Sequence, residues 1–340
     1  MKRVDLAALN AWVDSLITKQ RVIGVRARGD HFAFGPLTKS EDLRLDYDVT
    51  TLPPKIFFQP QREMLLSFKA GVGYETMLET EPFVLFGIHP YDMAAIEQMD
   101  EIFSQDNYDI HYMTRRANAT IVVVDVQNVS LNAFAGYMGT AYIEEGYDVH
   151  LTPIGDLYLV EAKTEKGEIL MTGLDDAPQA EESWFEQRNM VGEYNKQRLK
   201  KHELRVDPSK WPELLENAYS HPVWEEKAKL CFSCGSCTLV CPTCYCFDVH
   251  EDVNWDLSSG ERARVWDSCM RTNFATVAGN LNFRKNAADR YRHRYYRKGK
   301  YVPAKISGKI ACVGCGRCIT ACVPKIANPV EIFNRLAEDK

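Results

Sequence analysis

The first 230 residues of this 340-residue chain contain no cysteine, so whatever thiol chemistry the protein performs belongs to its last 110 residues. No run of about 18 apolar residues occurs, which excludes a transmembrane helix read from hydropathy. The apolar stretch at the N-terminus is interrupted by Asp5 and Asp14 and does not read as a secretory signal, so a cytoplasmic location is expected. Gly71-Val72-Gly73 lacks the third glycine and the strand context of a dinucleotide fingerprint. The eight His show no H-E-x-x-H pairing, and no Ser/His/Asp arrangement follows from spacing. No low-complexity segment is present, and 45% apolar with 26% charged residues excludes a wholly disordered chain. The sequence therefore offers no recognisable place for substrate chemistry of its own.

What is present is concentrated. Eleven cysteines lie at 231, 234, 237, 241, 244, 246, 269, 312, 315, 318 and 322. An odd number, tightly clustered, without an export signal, argues for metal ligation over a disulfide framework. Charge divides at the same place. Residues 231–340 hold 17 Lys and Arg against 10 Asp and Glu, a net of +7, whereas residues 1–230 hold 24 against 37, a net of −13.

Leu6, Leu9, Val13, Leu16 and Ile17 recur at helical spacing and predict an amphipathic opening helix over 6–17. Residues 22–28 and 31–34 flank Gly29-Asp30 as a hairpin. Residues 36–55 read as loop with at most one short strand. The runs FVLFGI (83–88) and TIVVVD (120–125) have the length and composition of buried strands, and Asp92 is placed to cap a helix between them. Strand–helix–strand at this spacing predicts a βαβ-like unit around a central sheet. A second hairpin is expected about residues 153–155.

These signals predict an α+β protein with an N-terminal α/β docking domain over 1–180. A helical connector follows over 181–229, broken by Pro208, Pro212 and Pro222. A cysteine-rich ferredoxin-like domain occupies 230–340, with a helical insertion at about 247–310.

The segment CFSCGSCTLVCP (231–242) has the spacing C-x2-C-x2-C-x3-C-P, and CVGCGRCITACVP (312–324) repeats it with Val323 before the proline. This is the pattern that holds [4Fe–4S] cubes in bacterial-type ferredoxins. Three thiolates at i, i+3 and i+6 wrap three iron corners; the fourth is expected to start a helix and point toward the neighbouring cluster. With that crossover, one cube takes Cys231, Cys234, Cys237 and Cys322, and the other takes Cys312, Cys315, Cys318 and Cys241. Gly235 and Gly316 are expected to bring backbone N–H groups close to inorganic sulfur. Structural zinc closes with four ligands and has no use for a third and fourth Cys at this spacing.

Cys244, Cys246 and Cys269 remain. They are expected to pack beside the clusters, the alternative being a further metal or iron–sulfur site with a ligand from elsewhere. Residues 284–300 carry eight Arg or Lys interleaved with Tyr291, Tyr295 and Tyr296. Each oxidised cube with four thiolates carries about −2, so these cations are expected to serve cluster electrostatics or partner docking rather than nucleic acid.

Several segments outside the cysteine motifs match one family: PPKIFFQPQRE (53–63), VLFGIHPYD (84–92), HPVWEE (221–226), CPTCYC (241–246), WDSC (266–269) and VAGNLNFR (277–284). Over nearly its whole length the chain resembles the β subunit of cytoplasmic sulfhydrogenases and, more distantly, the A subunit of anaerobic sulfite reductase. The resemblance implies a non-catalytic electron-transfer subunit whose clusters relay electrons from a flavin-containing partner that exchanges them with NAD(P)H. The acceptor it implies is a [NiFe] hydrogenase or, in the sulfite reductase relatives, a sirohaem subunit. Flavin and NAD(P) then belong to a partner chain. Relatives can carry additional cysteines around Tyr91 and just after the strand at 120–125, where this chain has Tyr91 and a Cys-free run over 127–133. A free-standing ferredoxin-like carrier is the competing class, for which an acidic N-terminal region of more than 200 residues is excessive.

Overall fold

The computed structural model describes residues 1–339. Strand β1 (Lys2–Asp5) leads into helix α1 (Leu6–Lys19), which the Asp5 carboxylate caps by accepting from the Ala8 N–H at 2.8 Å. The helix buries Leu9, Trp12, Val13 and Leu16, while Leu6, expected on the same face, is exposed at its first turn. Strands β2 (Arg21–Arg28) and β3 (His31–Pro36) form the hairpin expected about Gly29-Asp30, with Arg28 opposite His31.

A second hairpin, β4 (Arg62–Lys69) and β5 (Gly73–Thr76), turns through the Gly71-Val72-Gly73 segment. Next come β6 (Phe83–Ile88), α2 (Pro90–Ser104), α3 (Ile110–Asn118), β7 (Ala119–Val124), β8 (Val149–Ile154) and β9 (Leu157–Ala162). The main sheet has the order β1-β9-β8-β7-β6-β2-β3, with β2, β6, β7 and β8 mutually parallel and antiparallel strands at both edges. Every residue of β6 is buried, as parallel strands covered on both faces require. One face packs on Trp12, Val13 and Leu16 of α1, the other on Met93, Ile96 and Met99 of α2.

Helices α4 (Glu165–Met171), α5 (Glu182–Arg198), α6 (Trp211–Asn217) and α7 (Val223–Ala228) carry the chain to the cysteine-rich part. There the elements are α8 (Ser236–Leu239), β10 (Phe247–Val253), β11 (Ser259–Trp266), the short pair β12 (Thr276–Val277) and β13 (Leu281–Asn282), α9 (Ala287–Tyr296), α10 (Arg317–Ala321) and α11 (Pro329–Glu338). Trp211, Trp224, Tyr291, Tyr295 and Phe333 build its core, with Trp211 stacked on Phe333 at 3.6 Å between ring centroids.

The insertion expected to be helical opens instead with two strands. Strand β11 pairs with β4, giving a second sheet of order β10-β11-β4-β5 that ties residues 247–266 to residues 62–76. This sheet crosses the expected boundary at residue 230. Arg264 of β11 is buried against Glu63 and Asp109, and Glu63 also takes Arg115 at 2.6 Å. Strand β10 is exposed along its whole length, so it carries no apolar run by which to be recognised in sequence. No helix among the described residues is long and apolar enough to cross a membrane.

Candidate metal centre

In open α/β sheets, ligands gather at the carboxyl ends of the parallel strands. Here that edge grips the second cysteine loop. From the loop after β7, the Phe134 N–H donates to the Gly314 carbonyl at 2.7 Å and Thr140 Oγ1 donates to the Val313 carbonyl at 2.7 Å. From the start of α2, the Asp92 carboxylate accepts two hydrogen bonds from the Arg317 guanidinium, at 2.6 and 2.7 Å, with both side chains buried. Arg317 also donates to the Thr50 carbonyl at 2.8 Å. Asp92 is thus not the helix cap: His89 holds that position, and Asp92, in the first turn, is committed to a residue 225 positions away. Tyr91 and Ala133, at positions the resemblance flagged for additional cysteines in relatives, pack in one buried cluster with Cys315.

The glycines of the two motifs also shape the loops themselves. Gly235 and Gly316 precede α8 and α10 with φ of +82° and +78°. A Cβ on Gly316 would lie 2.3 Å from the Asn132 carbonyl oxygen, and one on Gly235 2.7 Å from the Ser268 side chain. They permit a left-handed turn and close contact with neighbouring protein. Gly316→Ala is expected to cost at least about 1–2 kcal/mol from backbone conformation alone, with a further loss as the loop is pushed off Asn132. Denaturant unfolding of the anaerobic protein measures it. The short helices also fall before the fourth cysteine of each motif rather than after it: Cys237 and Cys318 lie within α8 and α10, and Cys322 ends α10.

The thiols gather across the two motifs. Cys241 of the first motif lines one narrow cavity with Cys312, Cys315 and Cys318 of the second. Cys231, Cys237 and Cys322 pack against one core that also holds Cys318, and Cys318, Cys231 and Cys322 all oppose ionisation of Cys237. Cys234 is exposed at the rim of its loop, with its Sγ 3.4 Å from Ser236 Oγ. All eleven cysteines are free. Burial pushes Cys237 and Cys312 up to about 12 and raises Cys315 as well, so a metal loading these thiols displaces protons. Cys241 is held far below the usual thiol range by a hydrogen bond from the Cys244 thiol, with Lys298 and Thr243 beside it. Among the described residues, no three His, Cys, Asp or Glu side chains are drawn together tightly enough for a single metal ion.

Sequence reasoning assigned the cations of this segment to cluster electrostatics or partner docking but did not single out the ones that face these thiols. Arg290, Arg294 and Lys298 recur every fourth residue along α9 and the turn after it, so they share one face. Arg290 donates to Ser233 Oγ at 3.0 Å, in the first cysteine loop. Arg294 lines the cavity of Cys241, Cys312, Cys315 and Cys318 and also lies near Cys237. Lys298 Nζ donates to Cys241 Sγ at 3.1 Å. Arg294 and Lys298 are buried, and no carboxylate pairs with either among the described residues. The Arg294 Nε and Nη1 have no hydrogen-bond partner at all. Buried cations and orphaned donors of this kind are costly unless an anion answers them. Anionic iron–sulfur cubes on the surrounding thiolates fit that requirement. Lys298→Met is expected to make the potential of a cluster bound in the Cys241 cavity more negative, because a positive charge that favours the reduced form is removed. A redox titration followed by EPR measures the shift.

Cys269 is buried in the core beside the two motifs, Cys246 packs against that core, and Cys244 is half-buried beside them. They line a further cavity together with Arg294, Arg297 and Lys298.

Residues 230–326 match the 4Fe-4S dicluster domain family. The chain is 32% identical over 321 residues to the sulfhydrogenase 2 subunit beta of Pyrococcus furiosus, covering 94% of this chain and 92% of that one. It belongs to the sulfhydrogenase β-subunit family. No solved structure matches it. Membership covers both halves of the molecule, so the parallel-stranded sheet and the second sheet belong to the sulfhydrogenase β-subunit similarity as much as the cysteine loops do.

Proposed function

We propose that this chain is the iron–sulfur electron-transfer subunit of a hydrogenase-type complex. In this reading Cys231, Cys234, Cys237 and Cys322 hold one [4Fe–4S] cluster, and Cys312, Cys315, Cys318 and Cys241 hold the other. The partners are a flavin-bearing, NAD(P)H-linked subunit and a catalytic subunit of [NiFe] type. Bound clusters supply reversible one-electron transfer at low potential. The chain's own residues do the remainder. Arg294 and Lys298 lower the cost of adding an electron near Cys241, and Arg317 fixes the second loop to the sheet. Exclusion of water from the cavity keeps those charges effective.

The observation that carries the reading is the gathering of Cys241 with Cys312, Cys315 and Cys318 in one cavity, with buried cations along one helical face left without carboxylate partners. The family to which the chain belongs supports the same reading. Exposed Phe232 and Cys234 give the first loop an apolar rim where a partner's redox centre would approach. Val72, Tyr74, Trp255 and Leu257, all exposed on or beside the hairpins of the second sheet, suit a subunit contact away from it.

Anaerobic isolation of the native complex tests the proposal. The expected result is a brown preparation with at least about eight iron atoms per chain, reducible centres by EPR, and co-elution with flavin- and nickel-containing subunits. Colourless or zinc-loaded protein, or a chain that elutes alone, would overturn it.

A further inference from the structure

The cavity lined by Cys244, Cys246 and Cys269 lies outside both ferredoxin-like ligand sets. Cys244 and Cys246 follow the first motif directly, and Cys269 follows β11. The β10–β11 hairpin brings them back together: Phe247 pairs with Trp266, and the Asp267 N–H donates to the Cys246 carbonyl at 3.0 Å. Cys269 is 2% exposed. The two strands thus close a loop whose ends are thiols.

The charge around this cavity is one-sided. Arg294, Arg297 and Lys298 line it, and Lys55 reaches it from the N-terminal part, donating to the Cys244 carbonyl at 2.5 Å and lying 4.1 Å from the Trp266 ring centroid. Among the described residues no carboxylate pairs with any of the four. A cube in the neighbouring cavity answers Lys298 and Arg294. Lys55 and Arg297 are left over, and the thiols they face are these three. The lining residues include no carboxylate and no imidazole, so the protein supplies three ligands and no fourth. A lone zinc ion needs its thiolates drawn tightly around one point, and these three are not so drawn. The sulfides of a cluster accept hydrogen bonds, and three thiolates around a cube leave a net anion to meet the cations.

We propose that Cys244, Cys246 and Cys269 hold a third iron–sulfur centre of cubane type, with one iron not ligated by a thiolate of this chain. That iron is open to a small exogenous ligand, such as hydroxide or an added thiol. The centre adjoins the Cys241 site through Arg294 and Lys298, which line both cavities.

The test is metal and acid-labile sulfide analysis of the anaerobic full-length protein, wild type beside Cys269→Ser and Cys246→Ser. The expected result is about twelve iron atoms and as many sulfides in the wild type, each variant losing about a third. The two ferredoxin-like EPR signals persist in both variants, and an added thiol perturbs only the signal that the variants lack. Should Cys269→Ser fail to fold, Cys244→Ser, at a half-buried position, gives the same readout. About eight irons in the wild type, stoichiometric zinc, or a Cys246–Cys269 disulfide in anaerobic peptide maps would each overturn the proposal. Those outcomes leave the two-cluster reading standing, whereas a wild type without iron would sink that reading itself.

Discussion

Cys315→Ala is expected to lose about four iron atoms per chain and to abolish electron flow through the protein. Cys315 is buried in the cavity it shares with Cys241, Cys312 and Cys318. None of the other residues lining that cavity is a carboxylate, an imidazole or a further thiol that could replace it as ligand. The loss is expected to reach stability too, because binding energy at a site absent from the unfolded chain is folding energy. Without its anionic cube, Lys298 and Arg294 remain buried with the Cys241 thiolate as their one anion in that cavity, and the helix that carries them is the first element expected to loosen. EPR of the dithionite-reduced variant should retain the signal of the centre on Cys231, Cys234, Cys237 and Cys322. Unchanged iron would contradict the ligand assignment. Cys234→Ala offers the contrast: its thiol is exposed at the rim, so it is expected to lose its own centre with less damage to the fold.

Asp92→Ala carries the second large effect. The Asp92–Arg317 pair is wholly buried and bidentate, and it joins the first turn of α2 to the loop between Cys315 and Cys318. Removing one partner of such a pair costs about 3–5 kcal/mol, because the other charge is stranded out of water. Equilibrium unfolding under anaerobic conditions is expected to show that loss. The double variant Asp92→Leu with Arg317→Met removes both charges and is expected to recover most of it, since apolar replacement of a buried pair is often neutral. A potential readout separates position from mere stability. With its carboxylate gone, Arg317 acts as an unneutralised cation beside Cys315, so the potential of that centre should rise in Asp92→Ala. A single variant that unfolds like the wild type would show that the pair does not hold the two parts together.

The hairpins about Gly29 and Gly155, the opening helix and the two buried strands of the parallel sheet were legible because each is specified by residues adjacent in the chain. The second sheet was not. Strand β10 has no buried residue, and its partnership with β4 through β11 spans about two hundred positions. Arg290, Arg294 and Lys298 stood in plain view at a spacing of four, yet the segment's charge was legible only as a total. What singles these residues out from Arg292 and Lys300 is the face of α9 that turns inward. Arg292 and Lys300 find Asp289 and Glu216 instead.

By itself the sequence determined that eight thiols would come in two repeated sets, that a helix-and-sheet body would precede them, and that positive charge would concentrate near them. All of these follow from local spacing and composition. Only the tertiary structure decided that Asp92 would meet Arg317, that Lys55 would reach Cys244, and that Cys269 would return to Cys244 and Cys246. Each joins residues far apart in the chain. Such pairings pay the entropy of closing a long loop and are chosen by the packing of the whole molecule, which no short window of residues contains.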